Sequence, residues 1–396
     1  MPKAHRGTYL AFADAGNGTK HLRALAEAGL NTVHLLPTFD ITSVPERRSQ
    51  QQTPDCDLAA LPPASDQQQA CVTAVAAQDG YNWGYDPYHW MAPEGSYATN
   101  PTGAARVAQF RTMVGALHRD GLRVVLDQVY NHTSSSGQAA TSVLDRVVPG
   151  YYQRLNPKTG AVETSTCCQN VATEHAMAER AMVDSVVLWA KQYRVDGFRF
   201  DLMGHRLKAN LLAVRHALDR LTLRRDGVDG TAIYLYGEGW NFGEVADDAL
   251  FEQARQGNLG GTGIGTFSDR LRDAVRGGGP FDDDPRAQGL GSGLAGSPNG
   301  AEINGDAAKQ AATLAHDTDL VEPRHGRQPA RLRVPHQRER RGGAWRRGRL
   351  QRPAGRVRRR ARRGGVVRRR PRQRDDLGRA HPEACRRRRR WPTASG

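Results

Sequence analysis

The sequence predicts an α/β fold in which helices cover a parallel sheet, arranged as a (β/α)8 barrel and followed by an arginine-rich tail. Two observations favour this fold. Apolar strand-like segments alternate with segments of helical periodicity, and three successive strands end in a carboxylate, at Asp127, Asp201 and Glu238. Alternation alone also fits a doubly wound sheet. The carboxylates favour the barrel, because barrels of this kind carry their functional groups at the carboxyl ends of the strands.

Periodicity sets the order of the elements. Apolar residues at helical spacing predict helices at residues 21–29, 104–118, 179–193, 207–221 and 308–314. Short apolar runs predict strands at residues 32–37, 123–127, 195–201 and 232–238, the first of them buried. Helices and strands are therefore expected to alternate strictly. The polar stretch 40–78 is expected to be a long loop over a binding face, since long loops in compact domains are usually functional.

Charge divides the chain into two parts. Residues 322–396 hold 28 arginines, no lysine and five acidic residues, a formal charge of +23. Such a composition predicts a disordered tail. We interpret it as out-of-frame translation of a GC-rich coding sequence, with a genuine polyanion-binding tail as the alternative. Residues 1–321 hold 29 basic and 36 acidic residues, a formal charge of −7, so no nucleic-acid partner is expected for this folded part.

Targeting signals and cysteines narrow the class of protein further. No apolar run reaches the roughly 18 residues of a membrane span, and the first residues lack the apolar core of a signal peptide. No membrane partner is therefore expected, and the localisation stays open. The five cysteines match no zinc-ligand spacing, so no metal site is predicted. Cys56 and Cys71 bracket a polar loop and either form a disulfide or remain free thiols.

The strand-end carboxylates suggest a reaction. Neighbouring parallel strands lie about 4.8 Å apart, so Asp201 and Glu238 can approach the roughly 5 to 5.5 Å separation of a retaining glycosidase. Arg199 lies two positions before Asp201 on the same strand face and is expected to keep that carboxylate ionised. Glu238 lies beside Trp240, where an apolar wall would favour the protonated form of a proton donor. A single strand-end carboxylate is more often a helix cap or a loop anchor.

Four segments carry a family resemblance. Residues 127–132 (DQVYNH), 197–201 (GFRFD) and 237–240 (GEGW) resemble the first three signature regions of the α-amylase superfamily, in the same order. Residues 81–87 (YNWGYDP) are similar to the pullulanase type. The resemblance implies a (β/α)8 barrel that hydrolyses α-1,6 branch linkages in pullulan, amylopectin or glycogen with retention of configuration. Relatives of this type are often secreted.

The resemblance also implies roles for individual residues. Asp201 would be the nucleophile, Glu238 the acid/base, and Arg199 the guanidinium that orients the nucleophile. A further set would bind the branched α-glucan substrate: Tyr85, Asp127, His132, His205 and Trp240. The structural alternative for each is a packing anchor, a buried hydrogen-bonding histidine or a core aromatic.

The resemblance implies little about cofactors. None is required, and a structural calcium ion, common in the superfamily, stays open because no aspartate-rich loop specifies it. Cys167 and Cys168 are similar to an adjacent pair in pullulanase-type sequences and either form a vicinal disulfide or no bond.

The chain departs from the family in one respect. The fourth signature, a His-Asp dipeptide on a later strand that supplies a third acid, is not found. His316-Asp317 follows the predicted helix 308–314 and is interpreted as coincidence. We therefore expect an incomplete barrel, a chain clipped at both ends, and little or no activity. The alternative functions are an inactive glucan-binding remnant and polyanion binding through the tail.

Overall fold

The structure, a computed structural model, describes residues 1–325, with side chains described as far as Val321. Its helices are α1 (Asn17–Glu27), α2 (Gln67–Thr73), α3 (Ala104–Arg119), α4 (Leu144–Val147), α5 (Ala176–Tyr193), α6 (Lys208–Asp219), α7 (Leu223–Asp226), α8 (Asp269–Arg276) and α9 (Ala307–His325). Its strands are β1 (Thr32–Leu35), β2 (Phe39–Ile41), β3 (Pro87–Pro93), β4 (Arg123–Gln128), β5 (His132–Thr133), β6 (Gln169–Asn170), β7 (Gly197–Phe200), β8 (Tyr234–Gly237) and β9 (Gly265–Thr266). The predictions made for the tail lie outside the described residues, and the predicted boundary at 321 falls within α9.

Five strands form a parallel sheet in the order β1-β4-β7-β8-β9. Helix α3 precedes β4, α5 precedes β7 and α6 precedes β8, which is the predicted alternation of helix and strand. The α/β class and the parallel sheet are therefore confirmed. No helix within residues 1–325 combines the length and the apolar content that crossing a membrane requires.

The outer face of this sheet forms the core. Leu126, Phe198, Phe200 and Leu235 point to this face and are at most 1% exposed. They join one apolar cluster with the buried sides of α3, α5 and α6, where the largest side chain is Trp189. Burying such side chains stabilises the fold by about 1.5 to 3 kcal/mol each.

The inner face is the opposite one. Strand register places Asp127, Arg199 and Tyr236 in one row, and alternation sends all three to the inner face. A second row runs through His34 and Tyr234. The face that carries the candidate catalytic residues is therefore polar and aromatic, whereas the other face is apolar.

Two predictions about the first part of the sheet are wrong. Strand β1 is only partly buried, with His34 exposed, because within residues 1–325 it is an edge strand that pairs with β4 alone. The alternation is not strict, because β2 and β3 form an antiparallel pair between β1 and α3. A strand of three residues is too short to show the alternation of apolar and polar residues that predicts a strand. Strand β2 is instead held by distant contacts, such as the hydrogen bond from Ile41 N to Glu94 Oε2 (2.9 Å).

The predicted loop 40–78 also contains regular structure. Helix α2 lies in it, and Cys71 of this helix is disulfide-bonded to Cys56, which resolves the alternative left open by the sequence. Thr42 Oγ1 donates to Asp86 Oδ2 (2.8 Å), which ties the start of the stretch to the residue after Tyr85. His316 and Asp317 lie within α9, so the helix predicted there is confirmed.

Candidate active site

Three carboxylates meet at the carboxyl edge of the sheet. Asp127 lies near the end of β4, Asp201 directly follows β7, and Glu238 directly follows β8. The register pairs Asp127 with Arg199 and Phe200 with Gly237, so residues just beyond the strand ends are neighbours. The structure therefore brings together the acidic residues that the sequence singled out.

Arg199 bridges all three carboxylates. Its Nη1 donates to Asp127 Oδ1 (2.6 Å) and to Asp201 Oδ1 (2.9 Å), and its Nη2 lies 2.6 Å from Glu238 Oε1. The guanidinium is 6% exposed. Burial disfavours its charge, but the carboxylates outweigh burial and raise the pKa of Arg199 above its ordinary value. The sequence predicted the pairing with Asp201 but missed the other two.

Tyr85 closes one side of this group. Its hydroxyl donates to Asp127 Oδ2 (2.7 Å), and its ring lies under the Arg199 guanidinium at 5.7 Å. Phe267 lies 5.6 Å from the same guanidinium. Burial raises the pKa of Asp127 to about 6, although Arg199 and Tyr85 both favour its ionised form. Asp127 can therefore change charge near neutral pH.

The predicted environment of Glu238 needs correction. An apolar wall beside Trp240 was expected, but the carboxylate pairs with Arg199 and accepts a hydrogen bond from Leu202 N at Oε2 (2.9 Å). Leu202 has φ 39°, in the left-handed region, so the chain turns sharply at the residue whose N–H contacts Glu238. Sequence periodicity cannot reveal a left-handed leucine, so the sequence contained no signal for this contact.

Close backbone packing fixes the two loops that follow β7 and β8. Gly204 N donates to the carbonyl of Glu238 (3.0 Å). A Cβ at Gly204 would overlap the carbonyl of Trp240, so a glycine is required here by space and not by φ. Trp240 itself is half-buried. Its predicted role in binding glucose stays a prediction.

Asn131 and Arg206 are site residues to which the sequence analysis gave no role. Asn131 Nδ2 donates to Asp201 Oδ2 (3.1 Å) and to His132 Nδ1 (2.8 Å). Arg206 Nη2 donates to Asn131 Oδ1 (3.1 Å), and its Nη1 donates to the carbonyl of Asp201 (2.9 Å). Arg206 therefore sets the orientation of the Asn131 amide toward Asp201. Asn131 lies inside the quoted segment 127–132 and could have been found there, whereas Arg206 had no signal.

Arg206 is a buried cation that has no carboxylate as a hydrogen-bond partner within residues 1–325. It is fully buried, its guanidinium lies 5.8 Å from the ring of Tyr130 and 5.6 Å from the ring of Phe200, and its Nε has no partner among residues 1–325. Burial lowers the pKa of Arg206 to about 10. A buried charge destabilises the fold unless hydrogen bonds compensate for the loss of water, and Arg206 forms such bonds to Asp201 and Asn131.

The two predicted histidines differ in their surroundings. The Nε2–H of His132 donates to the carbonyl of Tyr85 (2.8 Å), and burial lowers the pKa of His132. His205 lies against the Phe242 ring (4.5 Å), and neither of its ring nitrogens has a hydrogen-bond partner in the described part of the chain. Burial lowers the pKa of His205 to about 4. The burial of His205 favours the structural alternative, and its substrate-binding role stays a prediction.

A buried ion-pair network supports the loop around His205. Arg154 contacts Glu174 (2.8 Å) and Glu244 (2.9 Å), and its Nη2 also donates to the carbonyl of His205 (3.1 Å). Although burial opposes its ionisation, hydrogen bonds from Ser165, Arg154 and Asn170 hold the pKa of Glu244 at about 2. The sequence gave no indication of this network, because its members are far apart along the chain.

The adjacent cysteines lie beside His132. Cys167 and Cys168 are disulfide-bonded, and Cys167 Sγ is 3.8 Å from His132 Nε2. Among residues 1–325 these three side chains form the group of histidine, cysteine and acidic residues whose spacing could hold a metal ion. Sulfur and imidazole donors do not suit calcium, which takes oxygen ligands. This group is therefore no candidate for the structural calcium ion, which stays open.

The chain is similar to curated pullulanases over most of its length. It is 49% identical over 309 residues to the chloroplastic pullulanase 1 of Arabidopsis thaliana, covering 77% of this chain and 32% of that protein. It is 42% identical over 354 residues to the pullulanase of Klebsiella aerogenes, covering 79% of this chain and 31% of that protein. No protein-family model matches the chain.

Solved structures give the same result. The crystal structure of the maltotriose complex of PulA from Klebsiella pneumoniae matches with a TM-score of 0.71 and 41% identity, covering 81% of this chain and 37% of that one. The pullulanase type I of Bacillus subtilis complexed with maltose matches with a TM-score of 0.53 and 31% identity, covering 71% of this chain and 34% of that one.

The parallel sheet, its strand-end carboxylates and these relatives place the chain in the α-amylase superfamily. Within this class the chain belongs to the pullulanase type, as its sequence segments indicated. It spans about a third of the length of the curated relatives that it matches, with 32% of one and 31% of the other covered.

Proposed function

We propose that the site binds a branched α-glucan and that Asp201 and Glu238 hydrolyse its α-1,6 linkages with retention of configuration. The observation that carries the proposal is the contact of Arg199 with both carboxylates, at 2.9 Å and 2.6 Å. A retaining glycosidase needs one carboxylate as nucleophile and one as proton donor on facing sides of the bond. We further propose that the five described parallel strands are part of a (β/α)8 barrel.

Asp201 is suited to act as the nucleophile. Arg199 holds one of its oxygens and Asn131 the other, while Arg206 holds its main-chain carbonyl. These hydrogen bonds favour an ionised and oriented carboxylate. Attack by Asp201 on the anomeric carbon would form the covalent glycosyl intermediate, which water then hydrolyses.

Glu238 must change partners to act as the proton donor. One of its oxygens pairs with Arg199 and the other accepts from Leu202 N. Donation to the glycosidic oxygen requires that one of these oxygens turns toward the substrate and carries a proton. We propose that substrate binding provides this change, since catalytic hydrogen bonds often form only in the complex with substrate.

The turnover of this chain is proposed to be low. The third acid of the family is expected on a later strand, and His316-Asp317 lies in α9. Tyr85, His132 and Trp240 would still bind sugar, Tyr85 by offering a ring face to the apolar side of a pyranose. A glucan-binding protein with slow hydrolysis is therefore the second candidate, favoured by the position of this dipeptide.

Hydrolysis and binding are measured on the same protein. Release of reducing ends from pullulan reports turnover, and calorimetry with maltotriose reports binding. If there is turnover, Asp201→Asn and Glu238→Gln should each reduce it by about 10² to 10⁴-fold. The matched control is Glu252→Gln, an exposed carboxylate paired with Lys208 away from the site, which should leave turnover unchanged.

The outcomes separate the two candidates. Maltotriose binding that is weakened by Tyr85→Ala, without any hydrolysis of pullulan, supports the binding protein. Hydrolysis that disappears in both carboxylate variants supports the enzyme. A folded chain that neither binds maltotriose nor cleaves pullulan contradicts both.

A further inference from the structure

Two reactive side chains beside the site, Cys167 and Cys168, have no role in the proposed hydrolysis. Together with His132 they offer three donor atoms, which lie within 4.8 Å of one another. Cys167 Sγ is 3.8 Å from His132 Nε2 and 4.0 Å from His132 Nδ1. These sulfur–nitrogen distances are close to the value of about 3.6 Å in a tetrahedral zinc site, whereas the two sulfurs are bonded to each other and must separate before both can bind a metal.

The backbone holds these donors together independently of the disulfide. His132 in β5 pairs with Asn170 in β6, which follows the cysteines by two residues. Asn170 is fully buried, its Oδ1 accepts from Thr166, and its Nδ2 donates to Glu244 Oε1 (2.9 Å). Breaking the sulfur–sulfur bond would therefore leave the cysteine loop anchored on both sides of the pair.

The hydrogen bonds of His132 prepare one nitrogen for a metal. Nε2–H donates to the Tyr85 carbonyl, so the proton is on Nε2 and the lone pair is on Nδ1. The amide of Asn131 now donates to Nδ1, and the same amide group also donates to Asp201 Oδ2. A metal could replace Asn131 at Nδ1 while Asn131 keeps Asp201. A second hydrogen bond that fixes the ring is the usual arrangement for a metal-bound histidine.

We propose that the reduced form of this site binds Zn²⁺ through Cys167, Cys168 and His132 Nδ1, and that the disulfide form does not. Reduction by two monothiols breaks the sulfur–sulfur bond. The two electrons and two protons pass to the cysteines, and the monothiols leave as their own disulfide. Zn²⁺ then binds the two thiolates, releasing two protons to solvent, and water occupies its fourth position. Thiolate and imidazole donors select zinc over calcium or magnesium.

The bound zinc would also control the candidate active site, a consequence that rests on the proposed function. Without zinc, His132 Nδ1 accepts only a hydrogen bond from Asn131, which a sugar hydroxyl can replace, whereas a metal at Nδ1 would leave His132 no nitrogen for a sugar while Nε2 donates to the Tyr85 carbonyl. Zn²⁺ and maltotriose should therefore compete, and only in the reduced protein. The site would accept glucan in an oxidising compartment and be closed by zinc in a reducing one.

The experiment uses the full chain with Cys56, Cys71 and Cys385 replaced by Ser, so that Cys167 and Cys168 are its only cysteines. Co²⁺ replaces Zn²⁺ as a spectroscopic probe, and Zn²⁺ competes with it. The reduced protein should bind one Co²⁺ with thiolate charge-transfer bands and the intense visible absorption of a four-coordinate ion. The same protein, reoxidised, should bind none. This comparison needs no substitution at the site.

Two further variants test the ligand assignment. His132→Ala in the reduced protein should weaken Zn²⁺ binding by at least about tenfold, since even partners of a ligand contribute that much. The reciprocal protein, with Ser at 167 and 168 and with Cys56 and Cys71 reduced, is the matched control and should bind no Co²⁺ tetrahedrally. Equal affinity in that control would show ordinary thiol binding and overturn the proposal, as would an unchanged affinity in His132→Ala.

Maltotriose separates this proposal from the proposed function. Reduced protein that binds Zn²⁺ through His132 but never binds maltotriose keeps the metal site and contradicts only the glucan site. Maltotriose binding that Zn²⁺ weakens in the reduced protein alone supports both.

Discussion

The two faces of the parallel sheet differ in how completely the described residues cover them. On the outer face, Phe198 is 0% exposed, and its neighbours belong to one apolar core. On the inner face, Tyr234 is 54% exposed and stacks on Tyr236, whose hydroxyl lies 3.0 Å from His34 Nδ1. The outer face is therefore stabilised by nearby helices, whereas the inner face is occupied by side chains suited to chemistry and binding. Because successive side chains of a strand point to opposite faces, the residues that stabilise the fold lie on one face and the candidate functional residues on the other.

The largest effect should come from the outer face. Phe198→Ala removes a fully buried ring and should lower the free energy of unfolding by about 3 to 5 kcal/mol. Tyr234→Ala, on the opposite face of the neighbouring strand β8, should lower it by less than about 1 kcal/mol, because half of that side chain is already in water. Urea denaturation followed by circular dichroism measures both.

This pair of variants can also contradict the contrast between the outer and inner faces of the sheet. If Tyr234→Ala costs as much as Phe198→Ala, exposure to water does not reduce the contribution of an inner-face side chain to stability, and the contrast between the two faces is wrong.

Arg199 is the exception on the inner face, since it is buried and charged. Arg199→Met leaves Asp127, Asp201 and Glu238 without their cation and should destabilise the protein by about 3 to 5 kcal/mol near neutral pH. The loss should be smaller at pH 5, where carboxyls can take up protons instead. The control Arg255→Met removes a partly exposed ion pair with Asp248 and should cost about 0 to 1 kcal/mol. A loss for Arg199→Met that does not depend on pH would mean that packing, and not charge, is what Arg199 provides.

The sequence predicted the parallel sheet and the meeting of the three carboxylates at one of its edges, because both depend on local patterns. Strand alternation placed Arg199 and Asp201 on one face, and the strand ends placed Asp201 and Glu238 side by side. Helices predicted from periodicity, such as α3, match to within a residue or two.

The contacts that the sequence missed are long-range or conformational. The bond from Arg206 to Asn131 spans 75 positions, and the turn of Leu202 that binds Glu238 requires a left-handed backbone. The antiparallel pair of β2 and β3 joins residues about fifty positions apart. Neither periodicity nor spacing contains this information, so the surroundings of the site residues were predicted less well than their positions at the strand ends.

His205 should make stability depend on pH. Its folded-state pKa is lowered to about 4, so between pH 6.5 and 4 the unfolded chain binds a proton that the folded chain does not. The corresponding stability is complete above pH 6.5 and is lost as the pH falls toward 4, by about 3 kcal/mol in total. In His205→Gln this part of the pH dependence should disappear, and urea midpoints at several pH values measure it. The exposed His216→Gln on α6 is the matched control and should leave the curve as it is. An identical curve for His205→Gln would contradict the assignment.

The smallest effect should come from the hydroxyl of Tyr85, and it tests whether the inner face is tuned for charge. Tyr85→Phe keeps the ring under Arg199 but removes the hydrogen bond to Asp127 Oδ2. A hydrogen bond to a charged group contributes about 1.5 to 3 kcal/mol, and the half-buried position of Tyr85 places the expected loss at the lower end. Because this bond favours the ionised carboxylate, its removal should raise the pKa of Asp127 above about 6. The loss of stability should therefore be larger at pH 8 than at pH 5. Carbon-13 NMR of labelled aspartate follows the titration directly, and an unchanged pKa of Asp127 would mean that the Tyr85 hydroxyl has no influence on its charge.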